Sequence, residues 1–149
     1  MITYQEELFK DIYEEMKPLL ELHWEELAVN KDIRPLDVDV EGYTRVNEAG
    51  LLRIYTVRED NKLIGYAAFV INRSLHYKTW TSAICDVYYI DPVKRKSGLG
   101  LEFFKLIVLW LRGYKVNSIL TQDKVHKPHK AFFEALGFKA IETNYEMII

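Results

Sequence analysis

Residues 88–107 read YYIDPVKRKSGLGLEFFKLI, and this stretch decides the fold. It begins as an apolar strand that ends at Asp91 and Pro92, because proline cannot donate to a sheet ladder. A polar loop with glycines at positions 98 and 100 follows, and apolar residues then recur at helical spacing up to Gly113. The sequence therefore predicts a strand, a glycine-bearing loop and a helix that starts directly after the loop.

The loop has the chemistry of a phosphate site. The first N–H groups of a helix lack internal partners, and the helix dipole places partial positive charge there. Glycine lets a ligand approach the backbone closely, and Lys94, Arg95 and Lys96 add positive charge. A Walker A loop is absent, and a dinucleotide fingerprint would need alternating parallel βα units. The pattern favours a phosphate or pyrophosphate ligand; the alternative is a solvated basic cluster beside a glycine turn.

The rest of the chain predicts a mixed sheet with flanking helices. Before the loop we expect a long amphipathic helix over 5–28, which Pro18 kinks or divides, then a loop over 30–39 and a short helix over Glu41–Glu48. A hairpin that turns at Glu59–Lys62 and a strand over Thr81–Ile90 should follow. After it we expect a strand over 116–122, a helix over 126–137 with Pro128 in its first turn, and two last strands over 138–143 and 144–149. The predicted fold class is α+β, a mostly antiparallel sheet with a right-handed strand–helix–strand crossover, in a single domain over residues 1–149.

Composition excludes several classes of protein. A formal net charge of -2 argues against a general nucleic-acid binder. Cys85 is the only cysteine, so neither an internal disulfide nor a cysteine zinc site can form. The acidic N-terminus lacks a signal-peptide pattern, and the longest apolar stretch, near 103–111, is too short for a bilayer, which needs ~20 residues. We expect a cytoplasmic protein with no membrane, nucleic-acid or metal partner.

Two motifs resemble those of the GNAT N-acetyltransferase superfamily. In its acyl-CoA motif a strand and a proline precede Arg/Gln-x-x-Gly-x-Gly/Ala, and here Ile90, Pro92, Arg95, Gly98 and Gly100 stand in those places. Residues 129–138, HKAFFEALGF, resemble the second motif, with Phe133, Gly137 and Phe138 in the matching positions. The order of elements also matches over nearly the whole chain. The resemblance implies the GNAT fold, acetyl-CoA as co-substrate and an amine as acceptor.

The resemblance also implies a set of cofactor-binding residues. The pyrophosphate would lie on backbone N–H groups of the loop and of the first helical turn, with the pantetheine arm added to the preceding strand. His126 stands where relatives often have an asparagine that contacts CoA, and Phe133 would pack beside the pantetheine. The implied residues are Tyr89, Ile90, Arg95, Lys96, Ser97, Gly98, Leu99, Gly100, Leu101, His126 and Phe133.

Catalysis by this family requires that a proton leave the acceptor amine, which is mostly protonated at neutral pH when its pKa is ~10.4. Asp86 is one candidate base, because many relatives carry an acid at that position of the strand. Glu26 is the other, and it shares a helical face with His23. Each carboxylate has a structural alternative, in a loop contact or on a solvated helix face.

Three further residues complete the sequence-based expectations. His76 and Tyr77, between two strands, would line the acceptor pocket or form an exposed turn. Phe133 replaces the tyrosine that protonates the leaving thiolate in many relatives, so the protein has another donor or needs none. Cys85 is expected to be a buried structural residue rather than a nucleophile.

The predicted function is therefore acetyl transfer from acetyl-CoA to an amine of a small molecule or a protein, by direct attack in a ternary complex. A homodimer is possible, as in many relatives. The alternatives are an acyl-CoA-binding module with little or no activity, which Phe133 favours, and an interaction protein that retains the fold.

Overall fold

Five strands form one sheet in the computed structural model, which describes residues 1–95 and 98–149. The elements run in the order β1 (Ile2–Glu6), α1 (Phe9–Leu27), α2 (Val40–Glu48), β2 (Leu52–Glu59), β3 (Lys62–Arg73), β4 (Thr81–Ile90), a 3-10 turn (Pro92–Lys94), α3 (Leu99–Gly113), β5 (Ser118–Leu120) and α4 (Lys130–Ala135). The strand order is β1-β2-β3-β4-β5, and only the β4–β5 pair is parallel. The predicted mixed α+β fold is confirmed, including the parallel strands on either side of α3.

The N-terminal segment differs from the helix predicted over 5–28. Residues Ile2–Glu6 form an edge strand that pairs antiparallel with β2, with Ile2 opposite Glu59. A short edge strand is stabilised by its partner more than by its own sequence pattern, so the local sequence did not reveal it. Helix α1 then continues through Pro18, which lies on its exposed face. Proline has no N–H to donate to the Glu14 carbonyl, but Glu14 is exposed too, so water can replace the missing donor.

The predicted hairpin is present between β2 and β3. Asp60 and Asn61 at its tip have φ values of 48° and 67°, the left-handed conformation that a tight hairpin turn requires. The register between β3 and β4 shifts by one residue, because Ala68 faces Val87 whereas Phe69 faces Cys85. Asp86 is the extra residue, and the strand has a β-bulge there.

The sheet separates two apolar cores. On one side α3 and α4 cover residues of the central strands, including Tyr55, Phe69 and Cys85. On the other side α1 and α2 cover Ile54, Tyr66 and Tyr89. The bulge moves the odd-numbered side chains of β4 from one side of the sheet to the other. Ala83 and Cys85 lie in the α3 core, whereas Val87 and Tyr89 lie against the α1 core.

The sheet opens between its two parallel strands. β5 pairs with β4 only along Ser82–Ile84 and ends at Leu120, so the second half of β4 has no neighbour from β5. Helix α4 begins at Lys130, so Pro128 precedes the helix instead of lying in its first turn. The opening lies between β4, α3 and α4.

The predicted strands over 138–143 and 144–149 are absent from the structure. Extended chain forms a strand only where a neighbouring strand accepts its backbone hydrogen bonds, and this segment has none within the described residues. Most of the segment is exposed, including Ile141, Tyr145 and Met147. An ion pair of 3.0 Å between Glu146 and Arg34 connects it to the loop that follows α1.

Candidate active site

A cavity of about 360 Å³ lies where β4 and β5 separate. Its walls come from the end of α1, the second half of β4, the start of α3 and the start of α4. The lining residues are Glu26, Leu27, Tyr66, Tyr88, Tyr89, Ile90, Arg95, Gly98, Gly100, Leu101, Phe103, Phe104, His129 and Phe132. The cavity, which we call the β4 cleft, thus contains most of the residues that the first motif predicted.

One edge of the cleft is strand backbone that β5 does not pair with. The Asp91 N–H donates to the Ile64 carbonyl at 2.8 Å, which makes these residues a hydrogen-bonded pair of the antiparallel β3–β4 ladder. Hydrogen-bonding direction alternates along such a strand, so the N–H and C=O groups of Tyr88 and Ile90 point away from β3. They point toward the side where β5 has ended, and a ligand with amide groups can bind there as a strand would.

The glycine loop leads directly into α3, as the sequence predicted. Gly98 caps the helix with φ of 88° and ψ of -19°, a left-handed conformation that favours glycine. The Glu102 N–H donates to the Gly98 carbonyl at 2.9 Å, which is the first hydrogen bond of the helix. The N–H groups in the turn before Glu102 therefore have no acceptor within the helix. Gly100 and Leu101 line the cleft, whereas Leu99 points into the core. Lys96 and Ser97 lie outside the described residues.

Glu26 is the most heavily hydrogen-bonded side chain of the cleft. Its carboxylate accepts two bonds from the Arg95 guanidinium, at 2.8 and 2.7 Å, and one from Lys127 Nζ at 2.8 Å. Tyr89 Oη donates a further bond of 2.9 Å. The Arg95 guanidinium beside Glu26 holds the pKa of that carboxyl well below its usual range. In this state Glu26 is a weak proton acceptor.

His23 lies one helical turn from Glu26, as the spacing predicted. Its ring stacks on Tyr89 with centroids 4.7 Å apart, and its Nδ1 lies 2.8 Å from Tyr66 Oη. Burial lowers the pKa of His23 to about 4, so the imidazole is neutral at neutral pH. His23 thus contacts two cleft residues and supports the cleft from the α1 side.

Asp86 lies at the bulge of β4 with its side chain exposed. It accepts a hydrogen bond from Tyr43 Oη of α2. Burial and the neighbouring Asp86 carboxylate raise the pKa of Tyr43, so its hydroxyl remains protonated and continues to donate. The bulge directs Asp86 toward α2, on the face of the sheet opposite α3.

The second motif contributes residues other than those its sequence suggested. Phe133 is 7% exposed and packs edge-on against Tyr88 and Phe132, behind the wall of the cleft. Phe132 and His129 line the cleft instead, and His129 Nδ1 lies 3.3 Å from Tyr88 Oη. His126 lies in the exposed turn closed by the bridge between residues 124 and 127.

The structure does not bring His76 and Tyr77 to the cleft. They lie in the exposed connection between β3 and β4, at the end of β4 opposite Ile90. Cys85 is 2% exposed, and burial raises the pKa of its thiol to about 12, as expected for a structural cysteine. Among residues 1–95 and 98–149, no cluster of three or more His, Cys, Asp or Glu side chains could hold a metal ion.

Several residues that line the cleft, or that contact a candidate site residue, were not predicted from the sequence. Tyr66 lines the cleft and Tyr43 binds Asp86 through tertiary packing, and nothing in their local sequence indicates either contact. Lys127 and His129 belong to a basic stretch, KVHKPHK, that reads equally well as a solvated surface. Tyr88 was within the quoted motif, but only the register of β4 shows that its backbone faces the opening.

The fold is that of an acyl-CoA-dependent transferase. A family model described as an acetyltransferase (GNAT) domain matches residues 12–148. The chain therefore belongs to the GNAT acetyltransferase family. A search of curated proteins finds no match to this chain, and none of the described helices is long and apolar enough to cross a membrane.

Solved structures share the fold at low sequence identity. A predicted acetyltransferase from Clostridium acetobutylicum, crystallised with acetyl-CoA, is 18% identical, with a TM-score of 0.71 over 99% of this chain and 96% of its own. A ribosomal-protein-alanine N-acetyltransferase from Brucella melitensis biovar Abortus is 13% identical, with a TM-score of 0.74 over 100% and 99%. An aminoglycoside acetyltransferase from an uncultured soil sample is 11% identical, with a TM-score of 0.78 over 100% and 99%.

Proposed function

We propose that the protein transfers the acetyl group of acetyl-CoA to an amine by direct attack in a ternary complex. The observation that carries the proposal is the β4 cleft, in which a strand edge that β5 leaves unpaired adjoins the glycine-capped start of α3. These two features suit the two chemical parts of the donor. The N–H groups at the helix start suit a diphosphate, and the backbone of Tyr88 and Ile90 suits the amides of pantetheine.

The described residues fit such a donor sterically as well as chemically. A Cβ placed on Gly100 would lie 3.3 Å from the Phe132 ring and 3.9 Å from Ile90 Cδ1, within the wall of the cleft. Glycine at this position therefore keeps the backbone accessible. Arg95 and Lys127 supply positive charge at the rim. Acetyl-CoA would supply a thioester whose thiol, with pKa ~8.5, leaves readily at neutral pH.

Asp86 is the base that we favour. It is exposed at the bulge, immediately before the part of β4 that would hold the donor, and it is hydrogen-bonded only through the Tyr43 hydroxyl among the described contacts. Glu26 is less suited in this state, because two cations bind its carboxylate. In this mechanism Asp86 takes a proton from the acceptor ammonium, directly or through water, and the amine lone pair becomes available to attack.

The departing thiolate has no tyrosine at position 133 to protonate it. Tyr88 lines the cleft with its ring against Phe133, and burial raises the pKa of this phenol, so it remains a hydrogen-bond donor. A thiolate can also leave unprotonated at neutral pH. The buried Phe133 supports a second candidate function, an acyl-CoA-binding module without turnover.

The acceptor class is an amine of a small molecule or a protein. The solved neighbours named above act, by their names, on aminoglycosides and on an alanine of a ribosomal protein. We retain three further expectations as proposals: a single domain over residues 1–149, a cytoplasmic location and a homodimer. Sedimentation of the purified chain tests the last of these.

Calorimetry with acetyl-CoA and an assay of CoA release with spermidine, an aminoglycoside and a lysine peptide test the proposed function. We expect binding and turnover with at least one amine. Asp86→Asn should lower kcat on the order of a hundredfold near pH 7 and much less above pH ~10, where the amine is already deprotonated. Tyr43→Phe is the matched control, because it removes the hydrogen bond and keeps the carboxylate. Equal rates at all pH values would exclude Asp86 as the base, and binding without turnover would select the binding module.

A further inference from the structure

One carboxylate joins three separate segments at the rim of the β4 cleft. Glu26 lies in the last turn of α1, Arg95 belongs to the glycine loop and Lys127 precedes α4. The Glu26 side chain is 16% exposed, whereas those of Arg95 and Lys127 are 40% and 45% exposed. The carboxylate is therefore more shielded than its two partners, and both cations reach inward to it.

Arg95 also occupies the strand edge that a donor would use. Its Nε donates to the Ile90 carbonyl at 2.9 Å, and its guanidinium carbon lies 5.0 Å from the centre of the Tyr89 ring. The Ile90 carbonyl is one of the backbone groups that point into the opening. A single side chain thus covers a backbone acceptor and is bound by Glu26.

A diphosphate and the Glu26 carboxylate need the same partners. Both are anions that form charge-assisted hydrogen bonds with guanidinium and ammonium groups. Arg95 and Lys127 already have such a partner, and an incoming diphosphate must replace it or share it. Two sites that compete for one set of cations are negatively coupled, and the coupling acts equally in both directions.

We propose that Glu26 competes with the diphosphate of acetyl-CoA for Arg95 and Lys127, and that donor binding releases its carboxylate into the cleft. This inference rests on the proposed function and adds a step to it. Glu26 is a positioning residue that acts through the two cations. After the donor binds, a negative charge becomes available on the α1 side of the cleft, where a cationic acceptor would approach.

Glu26→Gln tests the competition, because the amide keeps an acceptor for Tyr89 Oη and removes the charge. We expect acetyl-CoA to bind about fivefold to twentyfold more tightly by calorimetry, the lower part of the usual range for coupled sites. S-acetylpantetheine lacks the diphosphate and should gain much less. Glu25→Gln is the matched control on the same helix, because Glu25 is 66% exposed and pairs with Lys31. Its acetyl-CoA affinity should stay within about twofold of wild type.

Glu26→Asp separates contact from charge. Aspartate keeps the negative charge but is one methylene too short to hold both cations, so we expect tighter acetyl-CoA binding in this variant as well. Tighter binding in Glu26→Gln alone would mean general charge repulsion and would overturn the proposal. Weaker or unchanged binding in both variants would also overturn it, since Glu26 would then orient Arg95 toward the diphosphate. If wild type and Glu25→Gln fold but bind no acetyl-CoA, the proposed function itself is refuted.

Discussion

Alanine at Gly98 and alanine at Gly100 should have different consequences, because glycine is needed for a different reason at each position. Gly98 has φ of 88°, and its added Cβ would meet no atom within 4 Å. An L-residue in the left-handed region costs about 1–2 kcal/mol, so Gly98→Ala should lower the free energy of unfolding by about that amount. Gly100 is helical, and its Cβ would meet Phe132 Cε2 at 3.3 Å. Helix propensity favours alanine by about 0.5–1 kcal/mol and offsets this contact, so stability should change by less than about 1 kcal/mol.

Acetyl-CoA affinity should nevertheless fall in Gly100→Ala. The new methyl group would stand between Phe132 and Ile90, in space that the donor must occupy. Overpacking of about 1–2 kcal/mol corresponds to roughly a fivefold to thirtyfold weaker Kd. Gly98→Ala should weaken binding by a similar factor if the loop relaxes toward negative φ and loses its shape. Gly113→Ala, at the far end of the same helix in open space, is the control and should leave affinity unchanged.

The assays are urea unfolding followed by circular dichroism and calorimetric titration with acetyl-CoA. Gly98→Ala should lose both stability and acetyl-CoA affinity, whereas Gly100→Ala should lose affinity alone. Wild-type affinity in both Gly98→Ala and Gly100→Ala would refute the position of the diphosphate. A large loss of stability in Gly100→Ala would refute the steric argument for that glycine.

Two further predictions concern buried titratable groups. Burial lowers the pKa of His23 to about 4, so between pH ~6.5 and ~4 the unfolded chain takes up a proton that the folded protein does not. The free energy of unfolding, measured by urea unfolding at each pH, should therefore fall by about 2–3 kcal/mol over this window. This part of the loss should disappear in His23→Gln. Burial raises the pKa of the Cys85 thiol to about 12. Its reaction with a thiol-specific disulfide reagent at pH 8 should therefore be on the order of a hundredfold slower in the folded protein than in urea. Rapid labelling without denaturant would show that β4 opens or that the thiol is accessible.

The elements with strong local patterns were predictable from sequence. The loop between Pro92 and Gly100 combines a strand end, glycines and a helix start, and these local signals placed β4 and α3 correctly. The hairpin between β2 and β3 was predictable for a similar reason, since Asp60 and Asn61 tolerate positive φ. Each of these signals is contained within a few consecutive residues.

The errors arose where pairing with a distant segment decides the structure. β1 is a strand because β2 accepts it, and the segment 138–149 is not a strand because no neighbour pairs with it within the described residues. The contact of Glu26 with Arg95 joins positions 69 residues apart, and no local pattern can indicate such a pair. Phe133 lies in a helix, as predicted, but its side chain faces the core. The direction of that side chain depends on how the short α4 packs, which the local sequence does not indicate.

The bulge at Asp86 has a consequence for how β4 tolerates change. The extra residue reverses the alternation of side chains between the two faces of the strand. Side chains in the first half of β4 are therefore constrained by packing in the α3 core, and those in the second half by the shape of the cleft. Substitutions at Ala83 or Cys85 are therefore limited by core volume, whereas Asp86 is exposed and free of that limit. Deleting the extra residue, or adding a second one beside it, would exchange inside for outside along the second half of β4. The fold should therefore tolerate a substitution at position 86 better than an insertion or deletion beside it.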